Sequence, residues 1–564
     1  MSGGGLRFSA IAIVVVFCSL LDCAVGQAPR TLVTGQPCAI PFEFNGELHN
    51  DCIQFSGLEW CPAEGGFFGM CEAPGPTAVD REVQSTTISD PAGDLVGPDG
   101  LDGDLDGKPV QSVPASGSVD CCSLLASIGF SSELPVIVLD SQGNDIPDEP
   151  KINGLMCTCG APGGDVNGPM GIEIRGSTSA RDFSKKSFSM ELRGQLGEDA
   201  SINLFGLGED SDWILYGPEM DKSVGLRNYL TMNLFQGTGR YASDVIYCEV
   251  FLIEDGSTLD MAHYNGLYVL MEKVKRDKNR VDVQKNKDDL SGGYIFKYDN
   301  DNFDDGDVIL TSEASGLKFV MTYPKKEADD SHKGWLSEYI SNFELALATG
   351  LRENWAPFID EASFIDIFLI TELTKNPDGY RGSFYFHKDA GLPLAGGPPW
   401  DYNEAYGMCC GYPIDGFEDD GISTGVSGGS AISPEGWRFN ICLDPERCQI
   451  DPIDGVSRWF RVLMRDPTFR SAVGSRWATL RSGPWSDAQI VAIIDRVIPQ
   501  IQSAVGRNHD RWSEVHGDAS NAQYIATWTD EVEKMRSFTL AHAAWMDASL
   551  SPEGIDEIVL SADG

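Results

Sequence analysis

Positive charge is scarce in this sequence: 42 Lys and Arg stand against 85 Asp and Glu, a formal net charge of −43 over 564 residues. A surface of that sign repels nucleic-acid backbones and anionic membranes, so neither is an expected partner. It suits basic proteins and divalent cations, or simply keeps a chain soluble in a salty or calcium-rich medium. Histidine is sparse too, with 7 residues, and no H-E-x-x-H or comparable metal pair occurs among them. There is no N-x-[ST] sequon. Beyond the N-terminal segment no apolar run approaches the roughly 20 residues of a membrane span. What is present is ordinary for a globular chain, 42% hydrophobic and 23% charged residues, and excludes wholesale disorder.

The N-terminus carries Arg7, a short apolar run from Ile11 to Leu21, and the small-residue site Ala24-Val25-Gly26. This reads as a secretory signal over 1–26, cleaved before Gln27. The expected location is the secretory pathway or the cell exterior, with no stable membrane span in the mature chain. The chain has 15 cysteines; Cys18 and Cys23 fall in the signal, and the others are read first as disulfides. Their number is odd, so at least one is free or pairs with another chain. The vicinal pairs Cys121-Cys122 and Cys409-Cys410, and Cys157-x-Cys159, lack the C-x₂₋₄-C spacing of a zinc site.

Residues 27–72 contain a small cysteine module with Cys38-Ala39-Ile40-Pro41-Phe42-Glu43-Phe44-Asn45-Gly46, Cys52, Trp60-Cys61 and Cys71. So short a segment needs bridges to hold it. The pattern resembles the fibronectin type II module, with Ile40 in place of the usual Phe and a shortened end. The resemblance implies Cys38–Cys61 and Cys52–Cys71 pairing, and an extended matrix or wall ligand for residues 35–72. Residues 73–118, rich in Pro, Gly, Ser and Asp, read as an acidic linker. Within it, Asp102 to Gly107 is half an EF-hand loop whose twelfth position is Val113 rather than Glu.

Residues 119–548 read as one large α+β domain with a helical C-terminal part, and 549–564 as a tail. Leu134 to Asp140 reads as a buried strand. Lys186, Phe188, Met190 and Leu192 alternate with Lys185, Ser187, Ser189 and Glu191 along a second. Val224 to Phe235 predicts a helix. Val245 to Ile253 and Leu267 to Lys273 predict two strands joined by a long hairpin loop. Residues 486–505 and 520–548 carry apolar residues at helical spacing, with Trp512 and Trp528 as packing anchors. The aspartates between Asp299 and Asp307 read as a solvated turn, without regular ligand spacing.

Phosphoryl transfer needs divalent metals, a cation near the phosphates and an acceptor for the hydroxyl proton. A helix from Phe364 to Leu373 leads into Asn376-Pro377-Asp378-Gly379-Tyr380, a loop before a strand. A short hairpin later, Pro399-Trp400-Asp401-Tyr402-Asn403 places a second Asp at a strand end. That order of helix, loop Asp, hairpin and second Asp matches a kinase's base and metal ligand. On its own it also fits plain turn chemistry.

Five ordered blocks decide between these. They are Ile172-Glu173-Ile174-Arg175-Gly176-Ser177-Thr178-Ser179 with Phe183-Ser184-Lys185-Lys186-Ser187-Phe188, then Leu226-Arg227-Asn228, then Gly266 to Val274, then the two aspartate segments. Together they strongly resemble the CotH family of spore-coat-type protein kinases, over residues from about 130 to 548. The resemblance implies an atypical, reduced protein-kinase-like fold that uses ATP with Mg²⁺ or Mn²⁺ to phosphorylate Ser or Thr of secreted, coat or matrix proteins. It implies Asp378 as the catalytic-loop aspartate and Asp401 as the metal ligand. Ser383 stands where a metal-binding Asn is usual, and Asn403 where Asp is usual. Lys186, with Lys185 beside it, and Arg175 with Ser177 in its turn would meet the ATP phosphates. Glu272 either orients that lysine or ends a strand beside the nucleotide. The acidic surface points to a basic, Ser/Thr-rich protein substrate. A non-catalytic adhesive role on the same fold is the alternative, but it does not need both carboxylates.

Overall fold

The computed structural model describes five short strands between 42 and 70, and residues 120–558 apart from 195, 287–288, 300–302, 305, 326–327, 409–432, 440–454 and 517–519. Two compact units are separated near residue 108. In the first, Phe42–Phe44 pairs with Glu47–His49, and Ile53–Phe55, Leu58–Pro62 and Phe68–Met70 form an antiparallel sheet. The cysteine pairing expected there, and the half EF-hand loop, lie outside the described residues.

The second unit begins with a closed barrel. Its strands are β1 Val136–Asp140, β2 Ile152–Cys159, β3 Asn167–Arg175, β4 Ser187–Leu192, β5 Asp212–Tyr216, β6 Val245–Ile253 and β7 Tyr264–Glu272. They run in the order β5-β7-β6-β1-β2-β3-β4 and close back on β5. All pairs are antiparallel except β1 with β6. Alternation puts Ile137, Leu139, Ile172, Phe188, Met190 and Trp213 into a filled interior. The outer residues Val136 and Val138 pack with Phe130, Phe251 and Tyr264. Closure leaves no strand edge to pair with another chain. Helix and strand are mixed as the α+β reading requires, and the N-terminal part of this unit is a closed seven-stranded barrel that the sequence reading did not specify. Helix α1, Cys121–Ser127, is stapled to β2 by Cys121–Cys157 and Cys122–Cys159. The vicinal Cys121-Cys122 and the C-x-C Cys157 and Cys159 are thus disulfide partners, and Cys409-Cys410 lie outside the described residues. Cys248 is a buried free thiol, and burial pushes its pKa up.

Helix α2, Leu226–Gln236, lies between β5 and β6 in the chain. Beyond the barrel comes a five-stranded antiparallel sheet of β8 Tyr294–Tyr298, β9 Val308–Thr311, β10 Lys318–Tyr323, β11 Phe384–Lys388 and β12 Leu394–Gly396, in the order β9-β10-β8-β11-β12. Helices α3 Asp330–Ala348, α4 Glu361–Thr374, α5 Ser457–Arg465, α6 Pro467–Arg481, α7 Asp487–Arg511 and α8 Asn521–Ser549 pack around it. One apolar core joins β8, β10 and β11 to these helices through Phe296, Phe319, Phe386, Phe343, Phe364 and Trp459. Strand β7 is buried along its whole length, because one face looks into the barrel and the other into that core. Trp512 donates to Asn265 O at 3.0 Å and Trp528 to Ser223 O at 3.2 Å, so both expected anchors are buried with their N–H satisfied. Among the described residues no helix is long and apolar enough to cross a membrane.

Candidate active site

Helix α4 is buried on nearly every side. Asp360 caps its start, accepting from Ala362 N and Ser363 N, and Lys375 ends it in the left-handed region at φ 47. Pro377 cannot continue a helix, so the chain turns. Asn376 Oδ1 accepts from Asp378 N at 3.2 Å, while Asn376 Nδ2 donates to Asp401 O at 3.2 Å. One side chain thus ties the two aspartate segments together. Gly382 follows, flanked by Asp378 Cβ and Asp299 Oδ1, each 3.7 Å from where a Cβ at 382 would stand. Ser383 N donates to Asp299 Oδ1 at 2.8 Å.

The second segment is held from α2. Asn228 Oδ1 accepts from Tyr402 N at 2.8 Å, and Arg227 Nε donates to Ala405 O at 2.8 Å. Arg227 is fully buried and ion-paired to Asp221 at 2.6 Å and Glu531 at 2.7 Å. This explains the Leu-Arg-Asn block: it fixes the backbone around Asp401 rather than touching a ligand. Tyr380, Ser383, Asp401 and Tyr406 join Lys375 in having positive φ. Side chains avoid that region, and such strain persists only where the surroundings over-determine it.

Asp401 keeps contact with solvent, yet crowding protein atoms strip away enough water to raise its pKa to about 6. Asp378 and Asp299 push the same way; Arg175 and Lys297 oppose. Arg175, at the end of β3, lies over the Trp400 ring at 5.5 Å. Burial lowers its pKa, and Asp401 pulls it back up. Lys297 is directly opposite Tyr385 in the β8–β11 register and is ion-paired to Asp299. Burial opposes its charge, but Tyr385 and Asp299 more than offset this and raise its pKa. Three carboxylates and two cations therefore share one solvent-reached cleft.

Not every expected residue joins them. Lys185 is buried at 1% exposure. Its ammonium donates to Leu267 O at 2.5 Å and Asn508 Oδ1 at 2.7 Å and lies over the Tyr268 ring. Desolvation drives its pKa well down. It packs β4 and β7 against α7 and cannot reach a nucleotide, which corrects its expected role. Lys186 donates to Ala180 O at 2.7 Å, bracing the turn that carries Ser177, which is exposed. Glu272 accepts from Asp244 N at 3.1 Å and lies 3.8 Å from Arg280. It does not orient Lys186, which leaves the strand-end reading; burial raises its pKa to about 7. Asn403 is half-buried two residues beyond Asp401. Asp299, read as part of a solvated turn, is instead buried at 6% exposure. Lys297 was not singled out from the sequence, and Asp299 and Asn376 were given no role in the site. The first two had a signal: the alternation Tyr294, Phe296, Tyr298 puts Lys297 on the opposite face of an otherwise apolar strand.

The sequence matches the family described as CotH kinase protein over residues 172–546, a span that contains every cleft residue named above. None of the curated proteins searched matches the chain.

Proposed function

The chain belongs to the CotH kinase protein family, and we propose that it is an ATP-dependent protein kinase acting on Ser or Thr of secreted, coat or matrix proteins. The observation that carries this is the pairing of Asp378 and Asp401, tied by Asn376 at a cleft that also holds Arg175 and Lys297. An adhesive surface gains nothing from holding Asp378 close enough to Asp401 to raise the proton affinity of Asp401.

The residues fit a divalent cation bound with ATP. Asp401, Asp299 and Asp378 offer hard oxygen donors, with Ser383 and Asn403 as neutral ones. Among the described residues no three acidic, His or Cys side chains converge on one point. One or two protein carboxylates per ion, with phosphate and water completing the shell, is the usual habit of magnesium. ATP with its cation supplies the phosphoryl group when bound. Asp378, in the loop before β11, accepts the acceptor hydroxyl's proton. Arg175 and Lys297 face the negative charge of the phosphates. Lys186 has three N–H donors and spends one on Ala180, so it retains donors for a phosphate beside Ser177. The net charge of −43 draws basic substrates, and the disulfides suit an oxidising, extracellular or lumenal location.

The test is transfer of γ-phosphate by the protein with Mg²⁺ or Mn²⁺, to itself and to a basic Ser-rich peptide. Asp378→Asn is expected to lower turnover ~10²–10⁴-fold, the range of a general base. A folded protein that neither binds ATP nor transfers phosphate with either metal would overturn the reading.

A further inference from the structure

The chain leaves the cleft after Asp401 and returns at residues 433–439 to grip the loop it left. Lys375 Nζ donates to Ser433 O at 2.7 Å and to Glu435 O. Arg438 Nε donates to Asn376 O at 3.1 Å, and its Nη2 donates to Pro377 O. These are the two carbonyls immediately before Asp378. The backbone then locks the arginine: Arg438 N and Phe439 N donate to the Glu372 carboxylate at 2.7 and 2.9 Å, and Tyr380 Oη donates to it at 2.7 Å. From behind, His542 of α8 sits 2.8 Å from both Pro434 O and Glu372 O.

A buried cation placed here is costly. Arg438 is 1% exposed, and Nη1 has no hydrogen-bond partner among the described residues. Burial pulls its pKa down to about 10, with Arg381 acting the same way and Glu372 and Asp378 against. Apolar packing would stabilise such a site at least as well as a charge does. What the charge adds is geometry. A guanidinium is a planar fork, able to fix two successive carbonyls at one spacing, whereas an ammonium is a point donor.

We propose that Arg438 is a positioning residue for Asp378: the 433–439 segment braces the loop, and the guanidinium fork sets where the carboxylate stands. This rests on the kinase reading, with Asp378 as base. Displacing a reacting group by about 1 Å typically costs ~10²-fold in rate.

The experiment compares full-length Arg438→Gln and Arg438→Lys with wild type in kcat, KM for ATP and amide hydrogen exchange across residues 376–382. The expected result is a ~10²-fold fall in kcat for Arg438→Gln, with KM for ATP within ~2-fold and faster exchange in the loop. Arg438→Lys recovers part of kcat, since it reaches one carbonyl instead of two. Should Arg438→Gln fail to fold, Arg438→Lys carries the test alone, with a fall of at least ~10-fold expected. A kcat within ~2-fold of wild type in whichever variant folds overturns the proposal. If wild type transfers no phosphate, the kinase reading has failed and the brace is judged by exchange alone: unchanged protection of 376–382 in Arg438→Lys overturns it too.

Discussion

The barrel and the sheet-and-helix half solve different problems. In the barrel every strand finds two neighbours and the interior is apolar. The non-glycine residues there with positive φ, Gln142, Phe205 and Val224, lie in the connections between its strands rather than in the strands. In the other half, five such residues crowd between Lys375 and Tyr406, and charged groups are drawn inward. The barrel stores stability; the second half spends some of it to hold like charges together. Substitutions should separate the two by what they change, and four do so with decreasing effect.

Asp401→Asn should abolish transfer while stabilising the fold. Removing this charge is expected to lower turnover at least ~10³-fold, since preorganised charge stabilisation is often the largest catalytic contribution. Folded Asp401 holds its proton up to about pH 6, against an ordinary 3.8. Between those values the folded chain binds more protons than the unfolded one, so stability falls as pH rises through that window, and the full cost stands above about pH 6. Solvent on the open side screens part of the cost. Asp401→Asn should therefore raise Tm by about 1–3 °C at pH 8 and change it little below pH 4. Thermal melts at both pH values check this. A lower Tm at pH 8 would show that the carboxylate stabilises the cleft and does not strain it.

Arg227→Met attacks the join between the halves. It leaves Asp221 and Glu531 buried, at 0% and 4% side-chain exposure, without their cation. Breaking such a pair costs about 3–5 kcal/mol, read from urea unfolding. The bond to Ala405 O goes as well, so activity should fall even in molecules that stay folded.

The paired disulfides at the barrel's start should respond unequally. Cys121–Cys157 spans 36 residues and Cys122–Cys159 spans 37. Each closes almost the same loop, so the second adds little once the first is formed. Replacing Cys122 and Cys159 by Ser should cost less than about 1 kcal/mol, whereas removing both bridges should cost about 2–4. Equal steps for the two removals would mean that each bridge restrains the unfolded chain independently.

Much of this architecture was readable from periodicity. The strand over Leu134–Asp140, the helix over Val224–Phe235, the hairpin after Val245 and both C-terminal helices formed within a few residues of expectation. Local pattern reports which residues are buried, and those elements are local. Closure of the barrel was not legible, since the β1–β6 and β5–β7 pairings join strands far apart in sequence. The same limit hid Arg438, which meets Asn376 across 62 residues. Lys185 was misread for a different reason. Alternation assigns neighbours to opposite faces but does not say which face is the cleft. Here Lys186 points to Ala180 in the turn that carries Ser177, and Lys185 goes inward to α7.

That last distinction makes Lys185→Met the finest probe of the two halves. The ammonium is already desolvated, and burial drives its pKa well down, so a neutral side chain of similar length relieves a cost as it removes two hydrogen bonds. Asn508 Oδ1 would keep its bond from Leu267 N at 3.0 Å, which limits the unpaired polar surface left behind. The opposing effects should leave a net stability change within about 1–2 kcal/mol. Because the side chain faces α7 rather than the cleft, kcat and KM for ATP should stay within ~2-fold of wild type; a residue supplying charge to the transition state would instead show a ~10²-fold loss. Steady-state kinetics with ATP as the varied substrate reads the difference. A rise in KM of an order of magnitude would bring Lys185 back to the nucleotide and place the seam between the barrel and α7 in the chemistry.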